Sequence, residues 1–125
     1  MKDPHSFPFE KLRVWQEVRL WIREIYRFTG KFPEREKFGM VSQLNRAAVS
    51  VATNLAEGSG RISKKDQAHF THLAYSSLME CMNLLILAAD QQLISSVDLE
   101  SQRFIITGLS AQINALHQSQ RVRAE

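Results

Sequence analysis

Glycine and proline are few in this chain and gathered in three places, and this constrains the fold more than any other feature. The 125 residues contain five Gly and three Pro. Pro4 and Pro8 lie near the start, Gly30 and Pro33 form one break, and Gly58 and Gly60 form another. Only Gly39 and Gly108 fall inside periodic segments. Between the breaks apolar residues recur at three and four positions, with no alternation of period two. That pattern predicts four long helices and no strand.

The first helix is expected from about Phe9 to Thr29. Leu12, Trp15, Val18, Ile22, Ile25, Tyr26 and Thr29 share one face. Gly30-Lys31-Phe32-Pro33 ends it, and Pro33 can open the next helix, where its missing N–H costs nothing. The second helix is expected from Glu34 to Glu57, with a stripe of Phe38, Val41, Leu44, Ala48, Val51 and Leu55. Gly58-Ser59-Gly60 would close it in the left-handed conformation of a C-terminal cap. Ser63 with Asp66 resembles a capping box and starts the third helix, which runs to about Gln92. Ser95 with Asp98 repeats the signal. The fourth helix then runs from Ser96 to Gln118, with Leu99, Ile106, Leu109, Ile113 and Leu116 at coiled-coil spacing. Short connections between helices of this length predict an all-α, antiparallel up-down-up-down four-helix bundle over residues 9–120. Residues 1–8 form an N-terminal arm and 121–125 a fraying tail.

Composition narrows the function classes. Hydrophobic residues make up 44% and charged residues 23%, an ordinary globular balance. One cysteine, Cys81, excludes an intrachain disulfide and a Cys-rich zinc site. The start has no apolar signal region, and Leu84–Ala89, the most apolar run, is shorter than the roughly 20 residues that span a bilayer. A cytoplasmic protein with no membrane partner is the expectation. No cofactor motif is present: Gly58-x-Gly60 lacks a third glycine and follows no strand. No Glu-x-x-His pair, Walker A motif or Gly-x-Ser-x-Gly occurs, so no catalytic residue is assigned and the chain is not read as an enzyme. His69 and His72 share a face but fall short of the ligand number a metal needs, so no metal is assigned. Cys81 lies on an apolar face, as a buried, inert thiol would.

Two helices carry more than one non-solvent face. On the third, Phe70, Leu73, Ala74, Ser77, Leu78, Cys81, Leu84 and Leu85 form the core side, while Tyr75, Met79, Met82 and Ile86 lie on the far side. A helix apolar nearly all round is normally buried nearly all round, which in a chain this short suggests a partner subunit. On the second helix, Gln43, Arg46, Ala47, Ser50, Asn54 and Glu57 are small or polar where an exposed face would carry Lys and Glu. Trp21 lies off the first helix's stripe, and Trp is enriched at interface centres. These residues, with Glu80 as a candidate partner for Arg46 and Arg61 for Glu57, make up the expected oligomer interface. The alternative is an ordinary solvated face, with Trp21 covered by the N-terminal arm.

Two basic features remain. Arg19, Arg23 and Arg27, four residues apart with Arg13 at the edge and Lys31 beyond, form a ridge along the first helix. Their spacing of about 6 Å is comparable with that of phosphates along a strand. Arg61, Lys64 and Lys65 surround the start of the third helix, whose free N–H groups also favour anions. Residues 9–37 hold eight of the sixteen Lys and Arg against five acids. The net charge of +3 permits an anionic partner without requiring one. Neighbouring Glu17, Glu24, Glu34 and Glu36 could instead pair with these cations.

The motifs resemble a bacterial family of four-helix bundle proteins. It includes proteins encoded within intervening sequences of large-subunit ribosomal RNA genes and the accessory variability proteins of diversity-generating retroelements. The matching stretches are Phe9-Glu10-Lys11-Leu12-Arg13-Val14-Trp15-Gln16, Ile25-Tyr26, Phe32-Pro33, Ser42 to Ser50, Asn54-Leu55-Ala56-Glu57-Gly58, Arg61, Ser63, and Ala74 to Glu80. Asn45 stands where a second Arg is common, Ala52 replaces a frequent Pro, and Ser76 stands where Gly is common. The resemblance implies a homopentameric ring without enzyme activity. In the retroelement branch it further implies a basic surface that binds nucleic acid and a reverse transcriptase. Two functions follow as expectations: an oligomer whose basic surface contacts RNA or DNA, or a protein–protein scaffold with no nucleic-acid binding.

Overall fold

A computed structural model describes residues 4–124, with side chains to Arg121. Four helices carry the structure: α1 (Arg13–Thr29), α2 (Ser42–Ser59), α3 (Lys64–Asp90) and α4 (Ser96–Ala124). No strand occurs among the described residues. α3 packs extensively against both α2 and α4; α1 leans on α2 and touches α4 sparsely. Ile25, Leu44, Leu55, Leu78, Leu85 and Ile113 are the largest fully buried apolar side chains, so all four helices feed one core. Fully burying such a side chain contributes about 1.5–3 kcal/mol.

The helix starts at Ser63 and Ser95 form as expected. The Ser63 and Ser95 hydroxyls accept the backbone N–H of Asp66 and Asp98, each at 3.0 Å. Both bonds satisfy amides that have no partner inside the helix.

Several boundaries differ. The chain enters α1 through a 3-10 turn over Pro8–Lys11, and Phe9 packs edge-on against Trp15, ring centroids 4.9 Å apart. The turn over Pro8–Lys11 therefore covers Trp15, and Trp21 is covered elsewhere. α1's buried stripe is Val14, Val18, Trp21, Ile25 and Thr29, while Tyr26 is exposed. At 100° per residue this stripe is rotated by about 60° from the expected one. The α2 segment does not begin as an α-helix. A 3-10 turn at Glu34–Glu36 leads into a π-turn at Lys37–Val41, and α2 follows. A π-turn shifts the phase of a helix by one residue. It carries Phe38 out of the stripe, leaving that ring 90% exposed beside Lys37.

Gly58 does not adopt a left-handed cap, and no glycine among the described residues has positive φ. Its role is close approach: an added Cβ would lie 3.1 Å from Phe70 Cβ and 3.3 Å from the Gln67 carbonyl oxygen. α4 is helical through Arg121 to Ala124, beyond the expected end at Gln118, and Glu125 lies outside the described residues. By length and composition α3 is apolar enough to cross a membrane, a longer stretch than Leu84–Ala89. Here it is the helix packed between α2 and α4.

Candidate nucleic-acid interface

α1 presents its arginines because its buried stripe lies on the other side of the helix. Arg13, Arg19, Arg23 and Arg27 are all exposed. Two are engaged by carboxylates on the same helix: Arg13 Nε lies 3.0 Å from Glu17 Oε2, and Arg27 Nη2 lies 3.6 Å from Glu24 Oε2. Exposed pairs of this kind contribute about 0–1 kcal/mol, so a phosphate can replace the carboxylate at little cost. The Arg19 guanidinium lies over the Trp15 ring, 5.6 Å from its centroid. Among the described residues Arg23 has no ion-pair or hydrogen-bond partner. Glu17 and Glu24 are in turn held by α4: Gln112 Nε2 donates to Glu17 Oε1 at 3.1 Å, and Gln102 Nε2 donates to Glu24 Oε1. These bonds draw both carboxylates toward α4 and leave the ridge predominantly cationic.

The second patch is built differently. The Arg61 guanidinium stacks over Phe70, 4.4 Å from the ring centroid, a contact worth about 0.5–1 kcal/mol at an exposed site. Gln67 Nε2 donates to the Arg61 carbonyl at 2.8 Å, while Gln67 Oε1 accepts from Lys64 Nζ at 3.2 Å. Arg61 and Lys64 are therefore positioned by the first two turns of α3, and Lys65 is exposed beside them. Sequence reasoning missed Phe70 and Gln67 as supports. Their spacing of nine and six residues from Arg61 was the available signal.

The expected interface residues divide. Trp21 is not an interface residue: it is 4% exposed, and its indole N–H donates to Gln102 Oε1 at 2.8 Å within the subunit. The buried stripe turns toward α4 and takes Trp21 with it. Ala47 is buried in the core. The hydroxyls of Ser50 and Ser77 are 2.9 Å apart, and Asn54 Nδ2 donates to the Ser50 carbonyl at 2.9 Å, so this part of the α2 face already joins α3. Gln43, Arg46 and Glu57 are exposed. Among the described residues no ion pair joins Arg46 to Glu80 or Arg61 to Glu57; Arg61 uses Phe70 instead. Tyr75, Met79 and Met82 are half-buried at the edges of the core, Ile86 is half-buried, and Glu80 is exposed. Asn45 accepts the Thr29 hydroxyl at 2.9 Å, tying α2 to the end of α1.

His69 packs edge-on against Phe70, while His72 faces His117 of α4 at 6.0 Å between ring centroids. His69 and His72 thus have different neighbours. Burial, then Arg121 and His72, hold the His117 pKa below the usual histidine value. The Cys81 thiol is buried, and burial, with Glu80 secondary, pushes its pKa up to about 12. A thiol so rarely ionised is a poor nucleophile.

Fold and surface together define an all-helical bundle protein whose cations line one outer flank and one helix corner. Its fold is that of a solved protein of unknown function from the S23 ribosomal protein family of Bacteroides thetaiotaomicron. The two superpose with a TM-score of 0.78 at 19% identity, over 84% of this chain and 95% of that one. The chain belongs to the 23S rRNA-intervening sequence protein family, whose model matches residues 10–115. No curated protein matches it.

Proposed function

We propose that this protein is a non-enzymatic homo-oligomer, a ring of five up-down-up-down bundles, whose α1 ridge binds the phosphate backbone of RNA. The carrying observation is the row of exposed Arg19, Arg23 and Arg27, in which Arg23 has no partner and the flanking carboxylates are held toward α4. The up-down order is supported by the bonds from Glu17 to Gln112 and from Glu24 to Gln102, which pair α1 and α4 in opposite directions. The family's association with intervening sequences of ribosomal RNA favours RNA over DNA as the first ligand to test.

The chemistry is charge neutralisation. No side chain is placed to read base edges, so sequence preference is weak. Each subunit binds modestly, and a ring multiplies the effect through local concentration. Replacing Arg19, Arg23 and Arg27 with Glu leaves the helical content unchanged, because none contributes to the core, and abolishes retention of RNA in a gel shift. Binding by the unaltered protein weakens steeply as salt rises. Absence of retention at low salt refutes this reading. The half-buried Tyr75, Met79, Met82 and Ile86 face would then favour a protein–protein scaffold.

A further inference from the structure

α4 carries a second seam on the side away from the core. Val97, Ser101, Phe104, Gly108, Ala111 and Ala115 follow one another at spacings of four, three, four, three and four, and every one is exposed. Phe104 is 82% exposed and Val97 75%. Beside this seam lies an open groove of about 410 Å³ between α4 and α1, lined by Leu20, Phe104, Ile105 and Gly108. Leu20 is itself 61% exposed.

Gly108 singles this face out. It lies inside a 29-residue helix, where glycine is less favourable than alanine. Its φ is not positive, and an added Cβ would meet nothing within 4 Å. Neither backbone conformation nor packing within the subunit requires glycine there.

We infer that the α4 seam pairs with the α4 of a second copy in antiparallel register, each Phe104 seated on the other copy's Gly108 and against Leu20. With the two-fold axis midway between residues 104 and 108, Phe104 faces Gly108, Ser101 faces Ala111, and Val97 faces Ala115. Every large residue therefore meets a small one. The parallel register stacks Phe104 on Phe104 and Gly108 on Gly108, a clash beside a void. Charge agrees with the antiparallel register: Asp98 comes opposite Asn114 and Glu100 opposite Gln112, amides that can donate to carboxylates, and no like charges face each other.

The seam from Val97 to Ala115 is about 27 Å long. Two helices wide, about 20 Å, it gives roughly 1,000 Å² over both copies, the lower limit for a specific interface. The contact is two-fold and closes on itself. It uses none of the α2 and α3 residues expected at the ring interface and does not depend on RNA binding.

The test is cross-linking of the full chain carrying S101C and A111C together, treated with a short bismaleimide and run on a denaturing gel. Within one helix these positions are about 15 Å apart, beyond the reagent's reach. The double variant is expected to give a covalent dimer, whereas S101C alone, A111C alone and the parent chain with its buried Cys81 give none. No dimer from the double variant overturns the inference. So does a dimer from either single variant, which means another register, or a ladder beyond dimer, which means the contact does not close. In the cross-linkable background, Gly108→Phe and Phe104→Ala should each shift the concentration for half-maximal cross-linking up by about 30-fold, with helical content unchanged. Combining Phe104→Ala with Gly108→Phe exchanges the large and small partners and should restore cross-linking. A double exchange as weak as the single variants overturns the pairing of Phe104 with Gly108.

Discussion

The Trp21 indole N–H donates to Gln102 Oε1 at 2.8 Å across 81 residues of chain, with both side chains buried. Gln102 then passes its own N–H to Glu24. The buried amide satisfies the indole and fixes α4 against α1, the helix pair with the sparser contact. Replacing Gln102 with Leu leaves the Trp21 N–H without a partner, a desolvation cost of about 1–3 kcal/mol. Chemical denaturation should show that loss. Adding Trp21→Phe to Gln102→Leu removes the orphaned donor and should recover part of it. Equal stability of Gln102→Leu and the parent would mean that water replaces the amide.

Gly58 separates α2 from α3 by no more than a glycine allows. Gly58→Ala places a methyl against Phe70 Cβ and the Gln67 carbonyl, and the backbone of α3 must shift to admit it. Overpacking of this kind costs about 1–3 kcal/mol. In the isolated subunit Gly108→Ala, in open space, should instead raise stability by up to about 1 kcal/mol through helix propensity. Opposite signs in urea midpoints check both. A gain at Gly58 would show that the two helices separate freely.

Arg46 and Glu57 are exposed and make no ion pair among the described residues. In an isolated subunit, Arg46→Ala and Glu57→Ala should each change stability by no more than about 0.5 kcal/mol. Melting at several protein concentrations separates the subunit from an assembly. A loss that appears only at high concentration places these residues between subunits, whereas a loss at all concentrations would contradict their exposure.

His117 makes stability depend on pH. Its folded pKa is lowered by burial, then by Arg121 and His72, so the unfolded chain takes up its proton first as pH falls. The contribution is fully present above the unfolded value of about 6.5 and is lost as pH drops below it, through the folded pKa. The melting temperature should therefore fall between pH 7.5 and 5.5, and His117→Gln should flatten that fall. An identical slope in the variant would assign the pH dependence elsewhere.

Much of this molecule was legible in its sequence, and some particulars were not. Ser63 and Ser95 announced two helix starts because capping is a local bond, complete within three residues. Cys81 was recognisable as buried from its neighbours at helical spacing. The sequence by itself determined the helix count, most of the core positions and the exposed arginine row, because each depends on periodicity along one helix. Tertiary structure decided how those helices turn toward one another. The π-turn at Lys37–Val41 rotated Phe38 into solvent, and α4 supplied a buried amide that drew Trp21 inward. Gly58 stands in a break of the sequence pattern and Gly108 inside a periodic segment, yet neither setting says what lies against it. One is pressed against Phe70 and the other faces open space, a difference that depends on which helix lies opposite.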